Sequence, residues 1–124
     1  GNRALTLNIA AGYGGRWDIA QAARALAEDV AAGKLAPSAI DEAAISARLS
    51  LAGQPEPDLF IRTGGDLRIS NFLLWQLAYT EMWFTETLWP DLDATTLRQA
   101  VDDFVNRERR FGLPSAQGRP GDPA

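Results

Sequence analysis

The stretch Arg62-Thr-Gly-Gly-Asp-Leu-Arg-Ile-Ser70 places two guanidinium groups, a hydroxyl and a pair of glycines in one short run. Arginine offers a planar fork of donors matched to phosphate oxygens. Gly64 and Gly65 let the backbone turn sharply and approach a ligand closely. With Arg62 at the carboxyl end of a strand, and Arg68 and Ser70 arriving at a helix N-terminus, the run suits a diphosphate. The same residues also fit a surface turn whose arginines pair with Asp66 and Asp58.

Glu81 falls between an expected helix and an expected strand. It is either a Mg²⁺ ligand completed by substrate phosphates and water, or an ordinary helix-end carboxylate. Gly12-Tyr-Gly-Gly-Arg-Trp17 resembles a dinucleotide loop only in part, because Trp17 stands where the third glycine would be. It reads instead as a strand-to-helix turn with Arg16 and Asp18 near the helix start. The aromatics Phe72, Trp75, Trp83, Phe84 and Trp89 read as core.

The chain contains no histidine and no cysteine. This excludes a Ser-His-Asp triad, a thiol nucleophile, a disulfide and a histidine- or cysteine-ligated metal within it. Eleven of the twelve basic residues are arginine, Lys34 being the exception, and the net charge of −4 argues against a broad nucleic-acid surface.

These residues need elements to hold them. Ala4 to Ala11 reads as a buried strand entering the glycine turn. From Trp17 to about Ala32, Ile19, Ala23, Leu26 and Val30 form one helical face, with Gly33 as the stop. Asp41 caps a short helix carrying Ile45 and Leu49. Asp58 to Arg62 reads as a strand. Ser70 is expected to cap a helix from Asn71 to about Thr80, almost wholly apolar, and Met82 to Phe84 a further strand. Asp93 caps a last helix with Leu97, Val101, Phe104 and Val105 inward, ending in Arg107, Arg109 and Arg110. Residues 113–124, rich in Pro and Gly, read as a disordered tail.

Strands alternating with helices predict an α/β fold, part of a mostly parallel sheet flanked by helices. At 124 residues the chain is the size of one domain, and no apolar run is long enough to span a membrane. With no secretory leader in view, a cytoplasmic protein is expected.

The string Arg62-Thr-Gly-Gly-Asp-Leu-Arg-Ile-Ser-Asn-Phe-Leu-Leu-Trp-Gln76 closely resembles the signature of cis-prenyltransferases, the undecaprenyl diphosphate synthase family. Leu7-Asn-Ile-Ala-Ala-Gly-Tyr-Gly-Gly-Arg-Trp-Asp18, Leu88-Trp-Pro-Asp91 and Asn106-Arg-Glu-Arg-Arg-Phe-Gly112 are similar to that family too, in its order. The resemblance runs from Leu5 to Gly112. Family members are usually much longer, and their opening half carries an Asp-Gly-Asn-Gly-Arg phosphate loop that does not occur here. Residues 1–112 therefore resemble the carboxyl-terminal half of the catalytic domain, with the amino-terminal half absent.

The resemblance implies condensation of isopentenyl diphosphate with an allylic diphosphate such as farnesyl diphosphate, giving a long polyprenyl diphosphate with cis double bonds. It implies that Arg62, Arg68, Ile69 and Ser70 bind isopentenyl diphosphate and that Glu81 holds Mg²⁺. Arg110 and Gly112 would belong to an Arg-x-Gly motif reaching into a partner subunit, hence a homodimer. Peripheral membrane association through the lipid product is a further implication. Leu67 departs from several bacterial relatives, which carry histidine there. By itself the chain is expected to be inactive; the alternative is a non-catalytic dimerising subunit that depends on a partner.

Overall fold

A computed structural model describes residues 3–107. These fall into two compact units, residues 3–57 with Arg68–Ala78, and Asp58–Leu67 with residues 79–107.

The first unit is built on helix α1, Gly15–Ala31. Its stop is the expected Gly33, at φ +70°, where the Gly33 amide donates to the Val30 carbonyl and the Lys34 amide to that of Asp29. This double closure satisfies carbonyls that have no partner within the helix. Helix α2, Glu42–Ser46, begins at Asp41, whose carboxylate accepts the Ala44 amide at 2.8 Å. The core holds Ala22, Leu26, Leu49, Leu73 and Leu77.

Three expectations for this unit are corrected. The buried face of α1 runs through Gly15, Asp18, Ala22 and Leu26, so Ile19 and Val30 are only half-buried and Ala23 is exposed. Residues 4–11 form no strand, and Leu5, Leu7 and Ile9 are about four-fifths exposed (83%, 77% and 82%). A strand needs a neighbour to complete its ladder, and the described sheet consists of two other strands. Residues 71–79 form successive turns, not a helix. Ser70 and Asn71 both take left-handed backbone, at φ 53° and 60°, and the Asn71 carbonyl accepts the Gly15 amide at 2.7 Å. Tertiary pairing there overrides helical preference.

In the second unit β1, Leu59–Arg62, and β2, Glu81–Phe84, pair in parallel, with Leu59 opposite Glu81 and Arg62 opposite Phe84. Helix α3, Ala94–Asn106, starts at Asp93, whose carboxylate accepts the Thr96 amide at 2.8 Å. Three hydrogen bonds tie α3 and its C-cap residue to β2. The Trp83 indole donates to Asp103 at 2.8 Å, and one turn later Arg107 donates to the Met82 carbonyl at 2.9 Å and to Glu81 at 3.3 Å. Trp83 and Ala100 are buried. Phe104 is half-buried, whereas Leu97, Val101 and Val105 stay exposed, contrary to expectation. The helix turns Ala100 inward, and its larger apolar stripe lies to one side. Trp89 (73% exposed) and Phe72 (38%) are not core residues either.

The fold is thus α/β, with a parallel strand pair to which α3 is tied and further helices in the first unit. No described helix is long and apolar enough to cross a membrane.

Candidate functional site

Arg62 ends β1, the position where ligands gather in open α/β sheets. It is half-buried, and its guanidinium donates to Asp66 at 3.1 Å. That contact matches the surface-pairing alternative and equally fixes the direction of the fork. Gly64 and Gly65 take φ +90° and +83°, a region side chains other than glycine enter at a cost. Their amides donate to the Thr87 and Thr85 carbonyls, at 2.9 and 3.0 Å, which clamps the turn beside the end of β2. Those two donors are therefore engaged within the protein.

Glu81 opens β2 and shares its unit with Arg62. Its carboxylate is half-buried and paired with Arg107. No cluster of three metal-ligating side chains occurs among the described residues. A single carboxylate paired with an arginine does not amount to a metal site by itself.

Arg68, Ile69 and Ser70 belong to the first unit. Arg68 and Ser70 are exposed and Ile69 is half-buried. Because no helix follows Ser70, the expected helix N-terminus at this loop is absent. The loop is anchored instead at the start of α1, where Asn71 receives the amides of both Gly15 and Arg16. Arg110, Gly112 and residues 113–124 lie outside the described residues.

Asp18 is a centre outside the sequence-predicted site residues. Its side chain is 1% exposed, the largest fully buried one. It accepts the Tyr13 hydroxyl at 2.7 Å, the Gln21 amide group at 3.0 Å, and the Ser50 amide and hydroxyl at 2.9 and 2.8 Å. Gln76 adds a longer contact at 3.4 Å. Burial pushes the Asp18 carboxyl upward, but the bonds from Tyr13, Ser50 and Gln21 outweigh it and hold it below the usual carboxylate range. Burial, followed by the bond to Asp18 and its negative charge, pushes the Tyr13 hydroxyl up to about 12. A signal for this centre was present: Asp18, Ala22 and Leu26 recur every four residues, so a carboxylate shares a helical stripe with two apolar side chains.

Tyr13 and Ser50 also line a cavity of about 460 Å³, together with Asn8, Trp17, Leu51 and Phe72 among others. Asp18 therefore buttresses a wall of this cavity. Among the described residues, none of the sequence-predicted site residues lines it.

A parallel strand pair whose first strand ends in an arginine and a glycine turn, together with helices, defines an α/β protein. The chain belongs to the undecaprenyl diphosphate synthase family of prenyltransferases, whose family model matches residues 1–112. It is 73% identical over 116 residues to a ditrans,polycis-undecaprenyl-diphosphate synthase, (2E,6E)-farnesyl-diphosphate specific, of Xanthomonas axonopodis pv. citri, covering 94% of this chain and 45% of that protein. The corresponding enzyme of Xylella fastidiosa (strain Temecula1) is 60% identical over 116 residues, with 94% and 46% covered. Among solved structures, lavandulyl diphosphate synthase from Lavandula x intermedia, in complex with dimethylallyl diphosphate, matches with a TM-score of 0.78 and 46% identity. That match covers 81% of this chain and 43% of the other. The chain thus spans a little under half the length of the curated relatives it matches.

Proposed function

We propose that this chain supplies the isopentenyl diphosphate site of a cis-prenyltransferase, which condenses that substrate with an allylic diphosphate such as farnesyl diphosphate. The observation that carries the reading is the family match across residues 1–112, which includes every assigned position. Relatives at 60–73% identity are farnesyl-diphosphate-specific synthases.

Arg62 and Arg68 hold the diphosphate by charge-assisted forks, with Ile69 between them in the loop and the Ser70 hydroxyl as a further donor. Their task is positional: they fix the incoming double bond against the allylic carbon, so that carbon–carbon bond formation accompanies loss of the allylic diphosphate. The step is completed by loss of a proton from the isopentenyl unit to a diphosphate oxygen or a residue outside this chain. Glu81 would be the ligand in this chain for Mg²⁺, which when bound neutralises charge on diphosphate oxygens. Arg110 and Gly112 serve a partner subunit's site in a homodimer, and the long lipid product brings the enzyme to a membrane surface from the cytoplasm.

A second reading is favoured by the stripe Leu97, Val101 and Val105, which is 46%, 43% and 71% exposed. Such a face suits a subunit that associates and leaves transfer to its partner.

Calorimetric titration with isopentenyl diphosphate, with and without Mg²⁺, tests the first reading on the folded 124-residue chain. Binding that is lost in Arg62→Ala supports it. Binding unchanged by that substitution, or equal binding of nucleotides, overturns it.

A further inference from the structure

Helix α1 begins without a cap of its own. Its first amides have no partner within the helix, and the residue at the cap position, Gly14, has no side chain to offer them. Asn71, far away in sequence, does both jobs: its carbonyl accepts the Gly15 amide at 2.7 Å and its side-chain oxygen accepts the Arg16 amide at 2.9 Å. The approach is close enough that a Cβ on Gly15 would lie 2.1 Å from the Phe72 carbonyl oxygen. One on Gly14 would lie 3.0 Å from the Asn71 side chain.

The other side of this joint is the Arg68–Ser70 loop. Ser70 and Asn71 are the non-glycine residues of positive φ among those described, at 53° and 60°. Asparagine tolerates this conformation better than most residues, whereas serine does not favour it. Backbone held against its preference requires surroundings that over-determine it. The two bonds to α1 are that constraint, and they act one residue beyond the hydroxyl assigned to the diphosphate.

We propose that Asn71 is a positioning residue for the diphosphate loop. By capping α1 it locks Ser70 in left-handed backbone and so sets how Arg68 and Ser70 are presented to isopentenyl diphosphate. The inference rests on the site assignment made above. It adds that the first turn of α1, although remote in sequence from the arginines, governs affinity for one of the two substrates.

The test is steady-state kinetics on a polypeptide that carries this sequence at its relatives' full length, with Arg68→Ala as control. Asn71→Ala removes the side-chain acceptor and disfavours left-handed backbone. It is expected to raise KM for isopentenyl diphosphate at least tenfold, leaving the allylic KM and kcat within about threefold. Asn71→Asp keeps the acceptor and should recover most of the loss, and Asn71→Gly, which keeps only the backbone freedom, should fall between. Amide exchange at Arg16, whose acceptor is the side-chain oxygen, should quicken in Asn71→Ala and Asn71→Gly but not in Asn71→Asp. An equal rise in both KM values, or a lowered melting temperature with KM for isopentenyl diphosphate unchanged, overturns the role of Asn71. If Asn71→Ala does not fold, the Asp and Gly variants decide by the same split. An Arg68→Ala variant of normal KM overturns the underlying site assignment, and this inference with it; an impaired Arg68→Ala beside a normal Asn71 series removes the inference alone.

Discussion

Ser50 meets Asp18 twice, through its amide at 2.9 Å and its hydroxyl at 2.8 Å, both on the same carboxylate oxygen. The double contact ties the segment after α2 to the buried face of α1. The other carboxylate oxygen takes the Tyr13 hydroxyl, so a single side chain joins the glycine turn, α1 and the Ser50 loop. Asp18→Ala would leave the Tyr13, Gln21 and Ser50 donors without their acceptor, at a cost of about 1–3 kcal/mol. Chemical denaturation should show a clear loss of midpoint. Asp18→Asn, which retains an acceptor, should lose less than Asp18→Ala.

The same centre sets the acid limit. With its folded pKa lowered, Asp18 stabilises the fold above the ordinary carboxylate value of about 3.9, and that contribution fades as pH falls through the lower folded value. The unfolded chain takes up the proton first, so stability drops on acidification. Denaturation midpoints between about pH 5 and pH 2 should fall more steeply in the parent than in Asp18→Asn.

Tyr13 sets the opposite limit. Its folded pKa is raised to about 12, above the ordinary value near 10, so the folded state keeps the proton longer. Its contribution is complete below about pH 10 and is lost as pH rises towards 12. Ultraviolet titration should show one of the two tyrosines ionising late, and Tyr13→Phe should remove that late step.

Arg62→Ala and Arg68→Ala, made in a polypeptide of the relatives' length, should weaken use of isopentenyl diphosphate far more than of the allylic substrate. Loss of a charge-assisted bidentate contact is worth about 1.5–3 kcal/mol, or roughly a tenfold to hundredfold rise in KM. Equal effects on the two substrates would sink the assignment.

Gly15→Ala inserts a methyl group 2.1 Å from the Phe72 carbonyl and 2.7 Å from the Leu74 side chain. Backbone must move to admit it, at about 1–3 kcal/mol or more. Thermal unfolding should register the change, whereas Gly12→Ala meets no atom within 4 Å and suffers only from its positive φ of 65°.

The elements most legible in the sequence are those whose signals are local. Asp41 and Asp93 each stand three residues before the amide they cap, and Gly33 closes α1 where the apolar period ends. The short apolar run ending at Arg62 and the run at Met82–Phe84 are strands, because few other conformations suit β-branched and aromatic residues between turns. The family signature is equally local, so the identity of the candidate arginines was readable before any coordinates.

What tertiary structure decided lies where two distant segments compete for one group. Sequence periodicity predicts a helix from Asn71, yet its carbonyl and side chain are spent on α1, and the following residues proceed in turns. The Gly14–Gly15 pair looks like half a nucleotide loop, but serves as the clearance that lets Asn71 and Phe72 reach α1. In the sequence Asp18 only shares a helical stripe with Ala22 and Leu26; it becomes a buried hub because Tyr13, Gln21 and Ser50 converge on it. Residue types and spacings determine which local conformations are cheap and which side chains carry chemistry. Which donor reaches which acceptor across the fold depends on packing, and packing is a property of the whole chain.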